Sequence, residues 1–142
     1  NDQETGSETN IKFILGQIAE RLNKRGLIIL ISDLIDEPEK VIKGLKHIRH
    51  KNQEIIVFHI SDEKELSLDF ETRTTFVDLE TKGEIKTDPW QIKSTYKKLL
   101  KDLQKYYSNQ CNKNHIDYVP LTTKQSLDLA LTEYLKKRTR LN

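Results

Sequence analysis

Two short apolar runs constrain this chain more than anything else in it: Leu27-Ile28-Ile29-Leu30-Ile31 and Ile55-Ile56-Val57-Phe58-His59-Ile60. Each is too short for a buried helix, rich in β-branched residues and closed by polar residues, Ser32-Asp33 and Ser61-Asp62. Such runs read as strands covered on both faces, the pattern of a parallel-sheet interior. Between them Val41, Ile42, Leu45 and Ile48 recur at the spacing of one helix face. Asp36-Glu37-Pro38-Glu39 opens that helix, with Asp36 as cap, proline early in the first turn and acids at the positive end. Strand, helix and strand of these lengths make a βαβ unit, expected to cross over right-handed.

The flanking sequence extends the pattern. Ile11, Ile14, Leu15, Ile18, Ala19 and Leu22 form another helical stripe, with Thr9 or Asn10 placed to cap it and Lys24-Arg25-Gly26 to end it. Asn1 to Glu8 carry no apolar side chain and read as a disordered tail, leaving residues 9–142 as the folded part. Thr74 to Leu79 and Glu84 to Thr87 read as a hairpin around Gly83, poor enough in apolar residues to sit at a sheet edge. Asp88-Pro89 starts a long helix whose inner stripe is Tyr96, Leu99, Leu100, Leu103, Tyr107 and Cys111. Tyr118-Val119-Pro120-Leu121 is a short last strand, with Pro120 placing it near a strand end. A final helix follows, with Leu127, Ala130, Leu131, Tyr134 and Leu135 inside. The order predicts an α/β fold, a mostly parallel sheet between helix layers with an edge hairpin.

Composition then excludes whole classes of function. A length of 142 residues gives room for one domain. The net charge of +2, from 24 basic and 22 acidic residues, provides no strong field for nucleic acid or an anionic membrane. The basic cluster Lys136, Lys137, Arg138 and Arg140 reads as a solvated helix end, favoured by the macrodipole. One cysteine rules out an internal disulfide, and there is no signal peptide or membrane-length apolar span, so a cytoplasmic location is expected. The first residue is Asn1 rather than methionine, and the chain is expected to be a piece of something longer.

Ligands of open parallel sheets bind beyond the carboxyl ends of the strands. Three loops fall there: Ser32 to Asp36, Ser61 to Glu65, and Thr122 to Thr123. Asp33, just past the first run, could bind a hard cation through oxygen or simply cap its loop by bonding backbone amides. Spacing leaves both open. The five glycines make neither GxGxxG nor GxxxxGK, and no GxSxG elbow occurs. Cys111, on an apolar stripe, reads as an inert buried thiol. His47 and His50 have a metal-sharing separation, but Lys46, Arg49 and Lys51 around them argue for a solvated face. His59 is expected to pack within its strand, and His115 to lie in a turn.

The stretch from Lys24 to Asp36 with its Arg-Gly-apolar-Ser-Asp core, the stretches Gly44 to His50 and Glu54 to His59, Phe76 to Thr81, Asp88-Pro89 and Ile116 to Val119 together carry a resemblance. They resemble the C-terminal half of the bacterial family called domain of unknown function 58. That resemblance implies a von Willebrand A-like fold and a gene neighbourhood with MoxR-type AAA+ ATPases. Folds of that kind build a metal-ion-dependent adhesion site from an Asp-x-Ser-x-Ser loop, a threonine before a helix and an aspartate after a strand. By resemblance Asp33 matches the aspartate and Thr9 the threonine, the latter within Gly6-Ser7-Glu8-Thr9-Asn10-Ile11, which has one extra residue and Asn10 in place of aspartate. No Asp-x-Ser-x-Ser occurs in the chain.

The function implied is a non-enzymatic protein–protein interaction module, holding Mg²⁺ or Mn²⁺ in the intact protein and partnered by a MoxR-type ATPase. This chain alone, with two oxygen ligands, is expected to bind a divalent ion weakly if at all. The alternative is an aspartate-dependent α/β hydrolase or phosphoryl-transfer domain using Asp33, which needs a second carboxylate within reach; Asp36 serves only if it is not engaged as a cap. The resemblance also implies that a central neighbouring strand is lacking, which would expose a strand edge and favour homo-oligomers through it.

Overall fold

The computed structural model describes residues 11–63, 76–77, 84–85 and 89–140. In chain order the elements are α1 (Ile11–Arg21), β1 (Leu27–Ser32), α2 (Pro38–His50), β2 (Glu54–Ser61), β3 (Phe76–Val77), β4 (Glu84–Ile85), α3 (Pro89–Lys113), β5 (Asp117–Thr122) and α4 (Leu127–Arg140). The expected tail at residues 1–8, Thr9 and the Asp88 cap lie outside the described residues. The chain divides into two compact units, Asn1–Ile60 with Tyr106–Leu121, and Ser61–Lys105 with Thr122–Asn142.

The protein is α/β, with a three-stranded parallel sheet of order β1-β2-β5 flanked by helices. β1 and β2 run in register from Leu27 opposite Glu54 to Ser32 opposite His59. β2 is the central strand and is covered on both faces: Ile55, Ile56, Val57, Phe58 and His59 are all buried. The same expectation for the first run is overturned. Among the described residues β1 stands at the edge, and its residues alternate in burial, with Leu27, Ile29 and Ile31 at 45%, 41% and 51% exposure. An apolar sequence permits burial on both faces, but neighbours on both faces must supply it.

Helices α1 and α2 pack together closely. A Cβ built on Gly44 of α2 would lie 2.9 Å from Leu15 Cδ1 and 3.1 Å from Leu15 Cβ of α1, so only glycine allows this approach. Around that contact Val41, Ile42, Leu45 and Ile48 of α2 are buried as their spacing predicts. On α1 the buried stripe narrows to Leu15 and Ala19, while Ile14 is exposed.

Elsewhere the helical stripes are shallower than expected. Of the α3 stripe only Tyr107 and Cys111 are buried, and Leu99 is exposed. No residue of α4 is buried, and Leu135 faces solvent. Helical periodicity marks which face is apolar; the depth of cover depends on what packs against it. β5 takes the other edge of the sheet, where exposed Pro120 is tolerated because one side of an edge strand needs no amide donor. Of the expected hairpin β3 and β4 are described and pair antiparallel as a two-stranded sheet, while the rest of it lies outside the described residues.

A candidate site at the carboxyl end of β1

The chain turns sharply where β1 ends. Leu34 is fully buried yet has φ of 51°, in the left-handed region that a bulky side chain rarely adopts. Such a conformation costs about 1–3 kcal/mol and persists only when its surroundings fix it. Here burial of the leucine side chain does so, helped by its amide, which donates to Ser32 Oγ at 3.1 Å. The turn leaves the Asp33 side chain exposed just beyond the strand.

His59 of β2 anchors the same turn from below. Its ring is buried, with Nε2 3.1 Å from the Asp33 carbonyl oxygen and Nδ1 2.6 Å from the Tyr118 hydroxyl. A carbonyl can only accept, so Nε2 carries a proton. Burial disfavours the charged ring, and in the neutral Nε2–H form Nδ1 accepts from the Tyr118 hydroxyl. Burial lowers the His59 pKa below its ordinary value, outweighing the opposing influence of the Asp33 carbonyl and charge. Tyr107 of α3 meets the His59 ring edge-on at 5.6 Å and stacks on Tyr118 at 6.1 Å. Burial pushes both phenols well above the usual tyrosine range, so all three rings stay uncharged. The histidine was legible as a strand-packing residue, but its bond to Asp33 was not; the signal was a lone imidazole inside an otherwise apolar strand.

Asp36 does not cap α2. The N-cap there is Glu37, without a side-chain cap bond, although Pro38 opens the helix as expected. Asp36 Oδ2 instead accepts the amide of Ile11 at 2.7 Å. Ile11 begins α1, whose own first turn has no acid, so a carboxylate 25 residues away caps that helix and neutralises its positive end. A cap set by contact rather than by sequence adjacency is invisible to pattern reading. The result ties the 33–36 loop to the start of α1.

Asp33 and Asp36 carry the oxygen chemistry that hard divalent cations take. The chemistry is right, since Asp33 offers carboxylate oxygen at the sheet rim, but such ions take about six oxygen ligands. Among the described residues no three His, Cys, Asp or Glu side chains come together, and Thr9 lies outside those residues. The described part of the chain does not form a complete cation cage.

The remaining candidates have structural roles. In the second unit, the Thr123 amide donates to the Ser61 carbonyl at 3.0 Å, and Lys124 pairs with Glu63 at 2.9 Å, which fastens the segment after β2 to the turn after β5. His47 and His50 are exposed on α2, and His115 adopts a left-handed turn at φ 54°. Burial pushes the Cys111 thiol up to about 11, so it is protonated and unreactive at neutral pH. No helix among the described residues is long and apolar enough to cross a membrane.

No curated protein and no solved structure matches the chain. A family model does: the one described as protein of unknown function DUF58 aligns with residues 2–106, a span that takes in β1, β2, the Asp33 turn and the helix that Asp36 caps. This protein therefore belongs to the DUF58 family.

Proposed function

We propose that the chain is a non-enzymatic protein–protein interaction module that carries part of a metal-ion-dependent adhesion-type site within a von Willebrand A-like fold. One observation carries this reading: an exposed carboxylate, Asp33, held at the carboxyl end of a parallel strand by a strained turn. The turn is fixed on two sides, by His59 and by the Asp36 bond to the first residue of α1. Thr9, the second proposed oxygen ligand, precedes that residue by two positions in the sequence. Asp33 and Thr9 would hold Mg²⁺ or Mn²⁺ in the intact protein, leaving coordination positions for a carboxylate from a partner. The proposed partner is a MoxR-type AAA+ ATPase. The engagement of Asp36 by Ile11 weighs against the alternative of an Asp33-dependent hydrolase, which would need that second carboxylate.

The test titrates Mn²⁺ into the chain and into Asp33→Ala, followed by binding to a purified MoxR-type ATPase and by turnover of general phosphatase substrates. Weak Mn²⁺ binding, with Kd on the order of 1 mM, lost in Asp33→Ala together with ATPase binding and without turnover, is the expected result. Unchanged binding in the variant overturns the site, and metal-dependent turnover lost in the variant replaces the module with the hydrolase.

A further inference from the structure

The peptide unit between Asp33 and Leu34 is pinned at both of its polar ends. Its carbonyl oxygen lies 3.1 Å from His59 Nε2, and its amide donates to Ser32 Oγ at 3.1 Å. That rigid plane sets ψ of Asp33 on one side and the left-handed φ of 51° at Leu34 on the other. The direction of the Asp33 side chain therefore follows from how firmly the plane is held. Ser32 holds it by a local bond, two residues away in the chain. His59 stands on the neighbouring strand, and its ring serves only while a protonated Nε2 is turned toward the carbonyl.

We propose that Tyr118 is a positioning residue of the Asp33 site, acting through His59 on the peptide unit between Asp33 and Leu34. Its hydroxyl lies 2.6 Å from His59 Nδ1, so both ring nitrogens are engaged and the imidazole cannot turn without breaking a bond. Groups that orient a ligand from behind in this way matter to metal sites nearly as much as the ligands do. Tyr107 gives a contrast within the same cluster. It meets the His59 ring edge-on at 5.6 Å and stacks on Tyr118 with the ring planes 14° apart. Its buried hydroxyl makes no hydrogen bond among the described residues. Tyr107 thus supplies shape alone, whereas Tyr118 supplies shape and a directed bond. Asp33, His59, Tyr107 and Tyr118 fall in one compact unit of the chain, although both tyrosines lie beyond the matched span 2–106.

The inference rests on the reading of Asp33 as the carboxylate of the site, so the experiment has a metal-free arm and a metal arm. It compares Tyr118→Phe with Tyr107→Phe, which each delete one hydroxyl from adjacent rings of the 142-residue chain. In the metal-free wild type at neutral pH, ring nitrogen NMR shifts should show His59 protonated at Nε2 and bare at Nδ1. Hydrogen exchange at the Leu34 amide, relative to that at Leu45 in α2, should quicken about tenfold in Tyr118→Phe. In Tyr107→Phe it should not change. In a His59→Leu background Tyr118→Phe should quicken Leu34 no further, because the two residues act as one chain of bonds. Mn²⁺ is then added as the probe and read by paramagnetic broadening at Asp33. Its affinity should fall about tenfold in Tyr118→Phe and hold in Tyr107→Phe. A wild-type ring protonated at Nδ1, equal acceleration by the two phenylalanine variants, or a full effect of Tyr118→Phe without His59 overturns the proposal. So does Mn²⁺ affinity that Tyr118→Phe leaves unchanged. No broadening in the wild type overturns the cation reading instead, and the metal-free arm then decides whether Tyr118 holds the turn.

Discussion

β1 and β2 are similar strings, five large apolar residues in a row in one and four before His59 in the other, and they meet opposite fates. Ile56 of β2 is fully buried; Ile29, its register partner on β1, is 41% exposed. The difference is position: among the described residues β2 has a hydrogen-bonded strand on each side and β1 on only one. Burial on both faces is thus a property of a strand's place in the sheet. Composition only makes that place tolerable.

The same substitution at the two register partners gives the strongest challenge to this contrast. Ile56→Ala should lower the unfolding free energy by about 2–5 kcal/mol, as removal of buried methylenes does, read by denaturant unfolding. Ile29→Ala should cost about 1 kcal/mol or less. Equal losses would break the comparison.

His59 sharpens it, because a histidine can stand in the central strand only if its polar atoms are satisfied. Tyr118→Phe removes the donor to Nδ1 and should cost about 1–3 kcal/mol. The pH dependence has a definite sign. The folded pKa of His59 is below the ordinary 6.5, so between the two values the unfolded chain binds more protons. Among the described residues Tyr118 and Tyr107 meet the ring, and the Asp33 carbonyl and charge oppose the shift without outweighing burial. Stability from this group is complete above about pH 6.5 and falls as pH drops below it. His59→Gln should flatten that slope in urea titrations run across the window.

Smaller effects belong to the ends of the outer strand. Asp36→Ala removes the cap of α1 and should cost about 1 kcal/mol, with loss of protection at the Ile11 amide by hydrogen exchange. Arg25→Ala breaks an ion pair with Glu54 that is largely solvated on the arginine side, and should cost about 0–1 kcal/mol. A larger loss would mean that the end of β1 is held more firmly than its exposure implies.

The βαβ core was legible because its signals are local: two short apolar runs, a stripe at helical spacing and a proline at the start of α2. Asp33 was legible as a residue just past a strand. What could not be read was what each group touches. The carboxylate of Asp36 reaches a helix 25 residues earlier, His59 binds the Asp33 carbonyl, and Leu34 takes a backbone conformation that nothing in a leucine announces.

By itself the sequence determined the element types, the parallel character of the sheet and which helix faces are apolar, since these follow from periodicity and from the chemistry of neighbours in the chain. Only tertiary structure decided which apolar run lies inside, which carboxylate caps which helix, and how the Asp33 turn is held. Those outcomes depend on contacts between residues distant in the chain, and on how many layers cover each strand.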